Sequence, residues 1–255
     1  MTIEMPPPYE DLVFMAPLSA QRADALIRHL ARDLRGGTVL DLGCGWAELL
    51  LRTVSAAADA RGVGVDTDAR AIAHGRLLAE QRGLADRVTL IHGDVKTEAP
   101  GQAEALICIG ASQIWRSPVA DRQPMDYVSA LKALRAKVSP GAPVVYGEGI
   151  WSSPPTQQAA DPLSGRLDEF TTLPGLLDLA VAQGFMPVAV HEANLDEWDV
   201  FESGYSACFA RWLAEYGPDH VDAAEISTRA ARQRAAYFNG YRGILGLAYL
   251  CLVAV

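Results

Sequence analysis

The sequence predicts an α/β protein built on a mostly parallel, seven-stranded sheet with helices on both faces. Short apolar runs alternate with helix-period segments between residues 36 and 151, the pattern of successive β–α–β units. The runs are apolar almost throughout rather than alternating, as in strands covered on both sides. Half of the 255 residues are hydrophobic, enough for one large core.

Residues 1–18 are proline-rich and irregular. A helix is expected over 19–35, with Leu26, Ile27, Leu30 and Leu34 on one face, Ser19 as cap and Gly36-Gly37 as stop. Then come "TVLDLG" (38–43) as a strand, 46–60 as a helix and "RGVGVD" (61–66) as a strand. A helix over 68–83 ends at Gly83 and leads to "VTLIHG" (88–93). A short irregular or helical link precedes "EALICIG" (104–110). A helix over 125–138, stopped by "SPG", precedes the strand "APVVYGEGIW" (142–151). After a polar loop, "LPGLLDLAVAQGF" reads as a helix and "MPVAVHEAN" as a strand. Two helices follow, from Leu195 and from Asp219, and "GILGLAYLCLVAV" is the last strand. So long a connection lets the last two strands run antiparallel.

The bulk numbers exclude several partners. Net charge is −9 and the arginines are scattered, which argues against nucleic acid, whose phosphates need a basic footprint. "MTIEMPPPYEDLVF" has neither a basic n-region nor an apolar h-region, so no secretory signal is expected. The longest apolar stretch, "ILGLAYLCLVAV", is too short to span a bilayer as a helix. A cytoplasmic protein with no membrane partner is expected. Cys44, Cys108, Cys208 and Cys251 lie far apart with no C-x-x-C, which reads as reduced structural thiols rather than a metal site.

The informative stretch is "VLDLGCGWAELLL" (39–51): strand, glycine turn, helix. Gly43 and Gly45 fit a G-x-G whose backbone approaches a ligand closely. A dinucleotide fingerprint needs Gly or Ala at residue 48, where this chain has Glu48. A glutamate there points at the space of a pyrophosphate beside a helix N-terminus that should welcome anions. Asp41, two residues before the first glycine, suits a cationic cofactor better.

Here the sequence resembles the class I S-adenosylmethionine (SAM)-dependent methyltransferases. "VLDLGCGWA" is similar to their first motif, with Ala47 for the usual glycine; "GVGVDTD" to the second; "HGDV" to the third; and "ICIGAS" to the strand-four motif. The resemblance implies a Rossmann-like sheet with the last strand reversed and SAM as cofactor. It implies cofactor contacts from Asp41, Gly43, Cys44 and Gly45, from Asp66 and Thr67 toward the ribose, from Asp94 and Val95 toward adenine, and from Gly110 and Ala111 at the methionine end. It further implies one domain over 1–255: a cap over 1–35, a SAM-binding core over 36–151 and a helical insert or lid over 195–241. More narrowly, the chain resembles a bacterial methyltransferase subgroup with G-E-x-x-W after strand five and W-D-x-[FY]-E heading the insert.

In that architecture the acceptor approaches across strands four and five, which puts Trp115, Trp151 and Glu148 near the transferring methyl. Trp198 and Glu202 share a helix face on the insert, and Tyr9 is placed to close over the cofactor. These make a substrate-binding set of Tyr9, Trp115, Trp151, Trp198 and Glu202. Glu148, a carboxylate at a strand end, is the candidate base or anchor; backbone capping is its alternative. His191 at another strand end is a weaker candidate base, and Asp199 reads equally as a first-turn acid. The Ser153-Pro154-Pro155-Thr156 stretch follows strand five and lacks an aromatic residue, so it reads as a stiff loop rather than an amine-binding motif. The expected reaction is methyl transfer to an O or N atom of a small acceptor, aromatic or amine-bearing. A non-catalytic SAM-binding protein and an NAD(P)-dependent oxidoreductase are the alternatives; the latter predicts a glycine near 48 and no Asp41.

Overall fold

The computed structural model describes residues 3–34, 36–115 and 124–255. Residues 1, 2 and 35 of the expected N-terminal cap lie outside the described residues. Among the described residues the strands form one seven-stranded sheet in the order β3-β2-β1-β4-β5-β7-β6. The strands are β1 (Thr38–Leu42), β2 (Arg61–Asp66), β3 (Val88–His92), β4 (Ala105–Ile109), β5 (Pro143–Trp151), β6 (Phe185–Glu192) and β7 (Leu245–Ala254). The first five are parallel, and β7 runs antiparallel to both β5 and β6.

The helices are α1 (Ala20–Ala31), α2 (Glu48–Ala56), α3 (Ala69–Gln81), α4 (Val95–Glu98), α5 (Tyr127–Arg135), α6 (Gln157–Ala160), α7 (Leu173–Ala182), α8 (Leu195–Tyr216) and α9 (Ala223–Ala235). Their starts are set by side-chain caps, which satisfy otherwise orphaned backbone donors. Ser19 accepts from Arg22 N, Asp68 from Arg70 N and Ala71 N, and Thr156 from Ala159 N. Asn194 and Glu197 form a reciprocal capping box at α8. Thr156 thereby turns the "SSPPT" stretch into a helix start. α2 is shorter than the expected 46–60 because Trp46 and Ala47 still belong to the turn. The second helix of the insert ends in a π turn, Ala236–Tyr241.

Two cores flank the sheet. One packs Leu26, Ile27, Leu30, Leu50, Leu51 and Tyr249 under α1, α2 and the insert. The other packs Leu106, Tyr146, Leu131, Leu134, Leu176 and Leu250 under α5 and α7. β6 departs from the two-sided expectation. It is the sheet edge, and Met186, Val188 and Val190 are 52%, 52% and 39% exposed.

Before α1 the chain runs as a strap across the strand ends. Trp46 Nε1 donates to Val13 O at 2.8 Å, and Tyr249 OH donates to Pro17 O at 2.9 Å. Arg211 of α8 pairs with Glu10 and Asp11. Gly204 of α8 makes room for the strap: a Cβ there would lie 2.3 Å from Leu12 Cδ2. Gly204→Ala should therefore expel Leu12 from its seat. The overpacking costs about 1–3 kcal/mol and the better helix former returns about 1 kcal/mol. The expected outcome is a small fall in Tm with much faster limited proteolysis between Met5 and Met15, read by mass spectrometry. An unchanged cleavage rate would show that Leu12 does not anchor the strap.

Candidate active site

The site lies at the carboxyl ends of the parallel strands, where open α/β sheets place their ligands. The turn after β1 is drawn toward β2, since Gly43 N and Cys44 N both donate to Val65 O, at 2.9 and 3.2 Å. Gly43 and Gly45 have φ of +76° and +54°, a region that costs side-chain-bearing residues. Gly43 is also a point of close approach: a Cβ would lie 2.6 Å from Ala111 Cβ in the loop after β4. Ala47, at the third motif position, holds φ +62° as the N-cap of α2, so the alanine takes up the conformation a glycine would accept more readily.

Asp66 serves this turn directly. Its Oδ2 accepts from Gly45 N at 2.7 Å and its Oδ1 from Asp68 N at 2.8 Å. Each oxygen keeps a lone pair for a further donor. Asp94 caps α4 through Oδ1, which accepts from Lys96 N at 2.8 Å, and Val95 is buried beneath it. Asp41 is different. It is buried and borders the same cleft, and its carboxylate accepts no hydrogen bond among the described residues. Burial, reinforced by the neighbouring Asp66 charge, pushes its pKa up to about 8. A buried carboxylate without a partner is costly unless it is protonated or meets a cation.

Glu48 corrects one expectation. Its carboxylate is paired with Arg52 at 2.7 Å and with Arg82 at 2.7 Å. Its charge is thus spent on two arginines and does not guard the turn against a pyrophosphate. Of the two residues set against a dinucleotide, Asp41 alone keeps that role.

The cleft has a volume of about 650 Å³. Asp41, Gly43, Cys44, Gly45, Asp66, Thr67, Asp94, Val95, Gly110 and Ala111 all border it. The residues placed at the acceptor end by sequence fare differently. Trp198 borders the cleft, as does Phe201 of the same motif. Glu148 does not. It is buried behind the loop after β4, with Oε2 accepting from Ser112 N at 2.9 Å and Oε1 from Gly149 N at 2.9 Å. Burial pushes its pKa up while these donors pull it down. The backbone-capping alternative therefore describes Glu148, and the catalytic assignment lacks access to the cleft. Trp151 is turned into the fold, its Nε1 donating to Leu167 O at 2.9 Å and its ring edge-on to Phe170. Trp115 ends the short turn Ser112–Trp115 and packs on the α5 side of the sheet. Glu202 is spent inside the insert, accepting from Tyr241 OH at 2.7 Å and from Gln233 Nε2 at 2.8 Å. Tyr9 stacks on His74, ring centroids 3.9 Å apart, outside the cleft. Asp199 is held by Tyr237 OH and by two bonds from Arg242; those donors hold its pKa down to about 2. His191 is half-buried on β6 and does not border the cleft.

The sequence reading expected a cap over 1–35 but named Tyr9, not the residues of it that line the cleft. Phe14, Met15, Ala16, Pro17 and Leu18 wall the cleft opposite the sheet. The available signal was an apolar run, "LVFMAPL", in an otherwise polar terminus. It also missed Ile109, Ile114 and Leu247, which are indistinguishable by sequence from core residues. Among the described residues, no group of three or more His, Cys, Asp or Glu is arranged to hold a metal ion.

The donor set fits a cationic nucleoside cofactor: a glycine cradle, acids at the ends of two strands, Asp66 and Asp94, and one unpartnered buried carboxylate, Asp41. Comparison with known proteins agrees. Residues 39–135 match a family model described as a methyltransferase domain. The uncharacterized protein YjhP of Escherichia coli strain K12 is 28% identical over 231 residues, 88% of this chain and 89% of that protein. A SAM-dependent methyltransferase from Geobacter sulfurreducens, crystallised with S-adenosyl-L-homocysteine (SAH), is 27% identical with a TM-score of 0.84, covering 97% of this chain and 96% of that one. A SAM-dependent methyltransferase from Thiobacillus denitrificans, also with SAH, is 25% identical with a TM-score of 0.83, covering 97% and 96%.

The geometry of Glu148 yields a test. In Glu148→Gln the amide NH₂ must face one backbone N–H, leaving it unpaired at a cost of about 1–3 kcal/mol. Tm should fall by several degrees, while turnover per folded molecule falls by much less than the roughly 100-fold expected for loss of a general base. Thermal melts and rates at a temperature where both proteins are folded decide between the two roles.

Proposed function

We propose that the chain is a class I SAM-dependent methyltransferase that transfers the cofactor's methyl group to an oxygen or nitrogen atom of a small-molecule acceptor. The observation that carries this reading is the continuity of one cleft. Its nucleotide-type end, at Asp94, Asp66 and the Gly43–Gly45 turn, opens into an apolar end walled by the strap and the insert. The cleft falls in the size range of small-molecule sites. The net charge of −9 argues against nucleic acid as acceptor. Among the described residues no helix is long and apolar enough to cross a membrane.

Asp94 and Val95 would hold adenine, Asp66 the ribose hydroxyls, and Asp41 the cationic end, with Gly43, Gly110 and Ala111 bordering the methionine portion. The cofactor supplies a methyl made electrophilic by a sulfonium, to be displaced directly. The protein's part is to orient and to exclude water. The Ala111–Gly43 contact fixes the floor. The strap covers the cleft from the opposite side, with the Arg52 guanidinium over Phe14 at 5.0 Å.

Asp41 makes cofactor binding a proton-linked event. Folding raises its pKa, so the stability it contributes is present at low pH and is lost as pH rises from about 4 through about 8. At pH 7 Asp41 holds this proton in the protein alone, and a bound cofactor's positive charge would lower the pKa and favour its release. Calorimetry in buffers of different ionisation heat should show proton release with SAM exceeding that with SAH. SAM affinity should rise relative to SAH between about pH 7 and 9. Asp41→Asn should abolish both differences and weaken SAM roughly tenfold. NADH should not bind; NADH binding without SAM binding would overturn the reading.

A further inference from the structure

We propose that the methyl acceptor is an uncharged aromatic nitrogen heterocycle, seated against Trp198 and Phe201 and methylated on its ring nitrogen without a protein base. This deepens the methyl-transfer reading and rests on it. The sheet order gives the acceptor's place. Adenine, ribose and methionine positions follow β3, β2 and β1 in turn, so the cleft continues toward β4 and β7. Its wall there is Ile109, Ile114, Leu247, Trp198, Phe201 and Pro17. The nearby polar side chain, Gln113, donates its amide to Gly110 O at 3.2 Å.

Among the described residues, and apart from Asp41 at the cofactor side of the cleft, whose charge the cofactor's cation would engage, the proton acceptors that surround this end are already engaged. Glu148 holds two backbone N–H groups, Asp199 holds Tyr237 and Arg242, and Glu202 holds Tyr241 and Gln233. Glu197 holds Arg22 and the N–H groups of Ser19 and Asn194. The phenols follow suit: Tyr146 shares a 2.6 Å bond with Ser112 Oγ, and Tyr249 donates to Pro17 O. An alcohol or a phenol must shed its proton as its oxygen attacks, and an alkylammonium ion before its nitrogen has a lone pair to attack with; these groups are not free to take that proton. An acceptor that arrives as an anion meets Asp41, Asp66 and Asp94 on the cofactor side of the same cleft, a field that repels it.

A ring nitrogen of the pyridine or quinoline type meets both conditions. It is neutral near pH 7 and its lone pair is free. Its planar, apolar body suits an aromatic wall in which Trp198 and Phe201 stand edge to face, centroids 6.0 Å apart. In the transfer the nitrogen lone pair forms the N–CH₃ bond. The C–S bonding pair stays on sulfur, which becomes a neutral thioether. One positive charge passes from sulfur to the ring and no proton moves. The product cation then lies between aromatic faces and an acidic cleft, both of which favour it.

The experiment offers radiolabelled SAM with isoquinoline, 2-naphthol, phenethylamine or thioanisole. SAH binding, measured first by calorimetry, reports on the parent reading. If SAH does not bind, the methyltransferase reading fails; if it binds, the panel judges this proposal alone. Isoquinoline should yield N-methylisoquinolinium at least about 100-fold faster than 2-naphthol and phenethylamine, the span a protein base would otherwise supply, and faster than thioanisole, which needs no base but offers a weaker sulfur nucleophile. At saturating SAM its rate should stay flat between about pH 6.5 and 8.5, because its nitrogen needs no deprotonation there. As a readout independent of turnover, N-methylisoquinolinium should bind the SAH complex, and Trp198→Leu and Phe201→Leu should each weaken that binding roughly fivefold with SAH affinity unchanged. Either variant suffices if the other fails to fold. No label on isoquinoline, faster methylation of any other probe, or a rate rising tenfold per pH unit would overturn the proposal.

Discussion

The Glu197 carboxylate is the joint on which the apolar end of the cleft hangs. It accepts from Ser19 N and Asn194 N, both at 2.9 Å, and from the Arg22 guanidinium through Nε and Nη2. Burial pushes its pKa up, but these donors outweigh burial and hold it at about 2. Ser19 marks the end of the strap and Asn194 the start of α8. One buried charge therefore fixes the two walls of the cleft against each other. Such a charge is tolerated only when its lone pairs are satisfied, and here each oxygen is spoken for. The geometry between Pro17 on one side and Trp198 and Phe201 on the other follows from it.

A division of labour runs through the site. Within Trp198-Asp199-Val200-Phe201-Glu202 the two aromatic residues face the cleft. The two acids turn inward to Tyr237, Tyr241, Gln233 and Arg242 and lock the return of the helical hairpin. Glu148 does the same for the loop after β4. The carboxylates that border the cleft are Asp41, Glu48, Asp66, Asp68 and Asp94, all at the end formed by the turns after β1, β2 and β3, and of these Glu48 is paired with Arg52 and Arg82. The result is a cleft that is acidic at its β1–β3 end and apolar toward β4 and β7.

How much of this was legible in the sequence depends on how local each constraint is. β2 falls on the residues expected of it, and α1 starts at its expected cap, because apolar periodicity and capping act over a few residues. The glycine turn and the acids that share its cleft were legible for the same reason: a turn that needs positive φ demands glycine, and acids at strand ends keep their register. Side-chain direction was not. Glu148 at a strand end reads alike whether it faces a ligand or a backbone N–H group, and only the position of Ser112, 36 residues away, decides. Glu202 finds its partners 31 and 39 residues on. The strap is held by α8 and β7, contacts with no periodic signature. Trp151 and Trp115 are large and apolar, and the fold used both for packing.

The outer strand has a bearing on how the molecule behaves in a crowd. β6 ends the sheet with alternate apolar side chains turned outward and no further strand beside it, the arrangement that invites strand-to-strand growth between molecules. Pro187 interrupts it, and the register slips between Pro187 and Ala189 where it pairs with β7. A proline removes a ladder donor and a bulge bends the edge away from straight pairing. The sheet thus carries its own stop signal, and a chain that exposes this much valine and methionine along one margin is kept from templating a fibril.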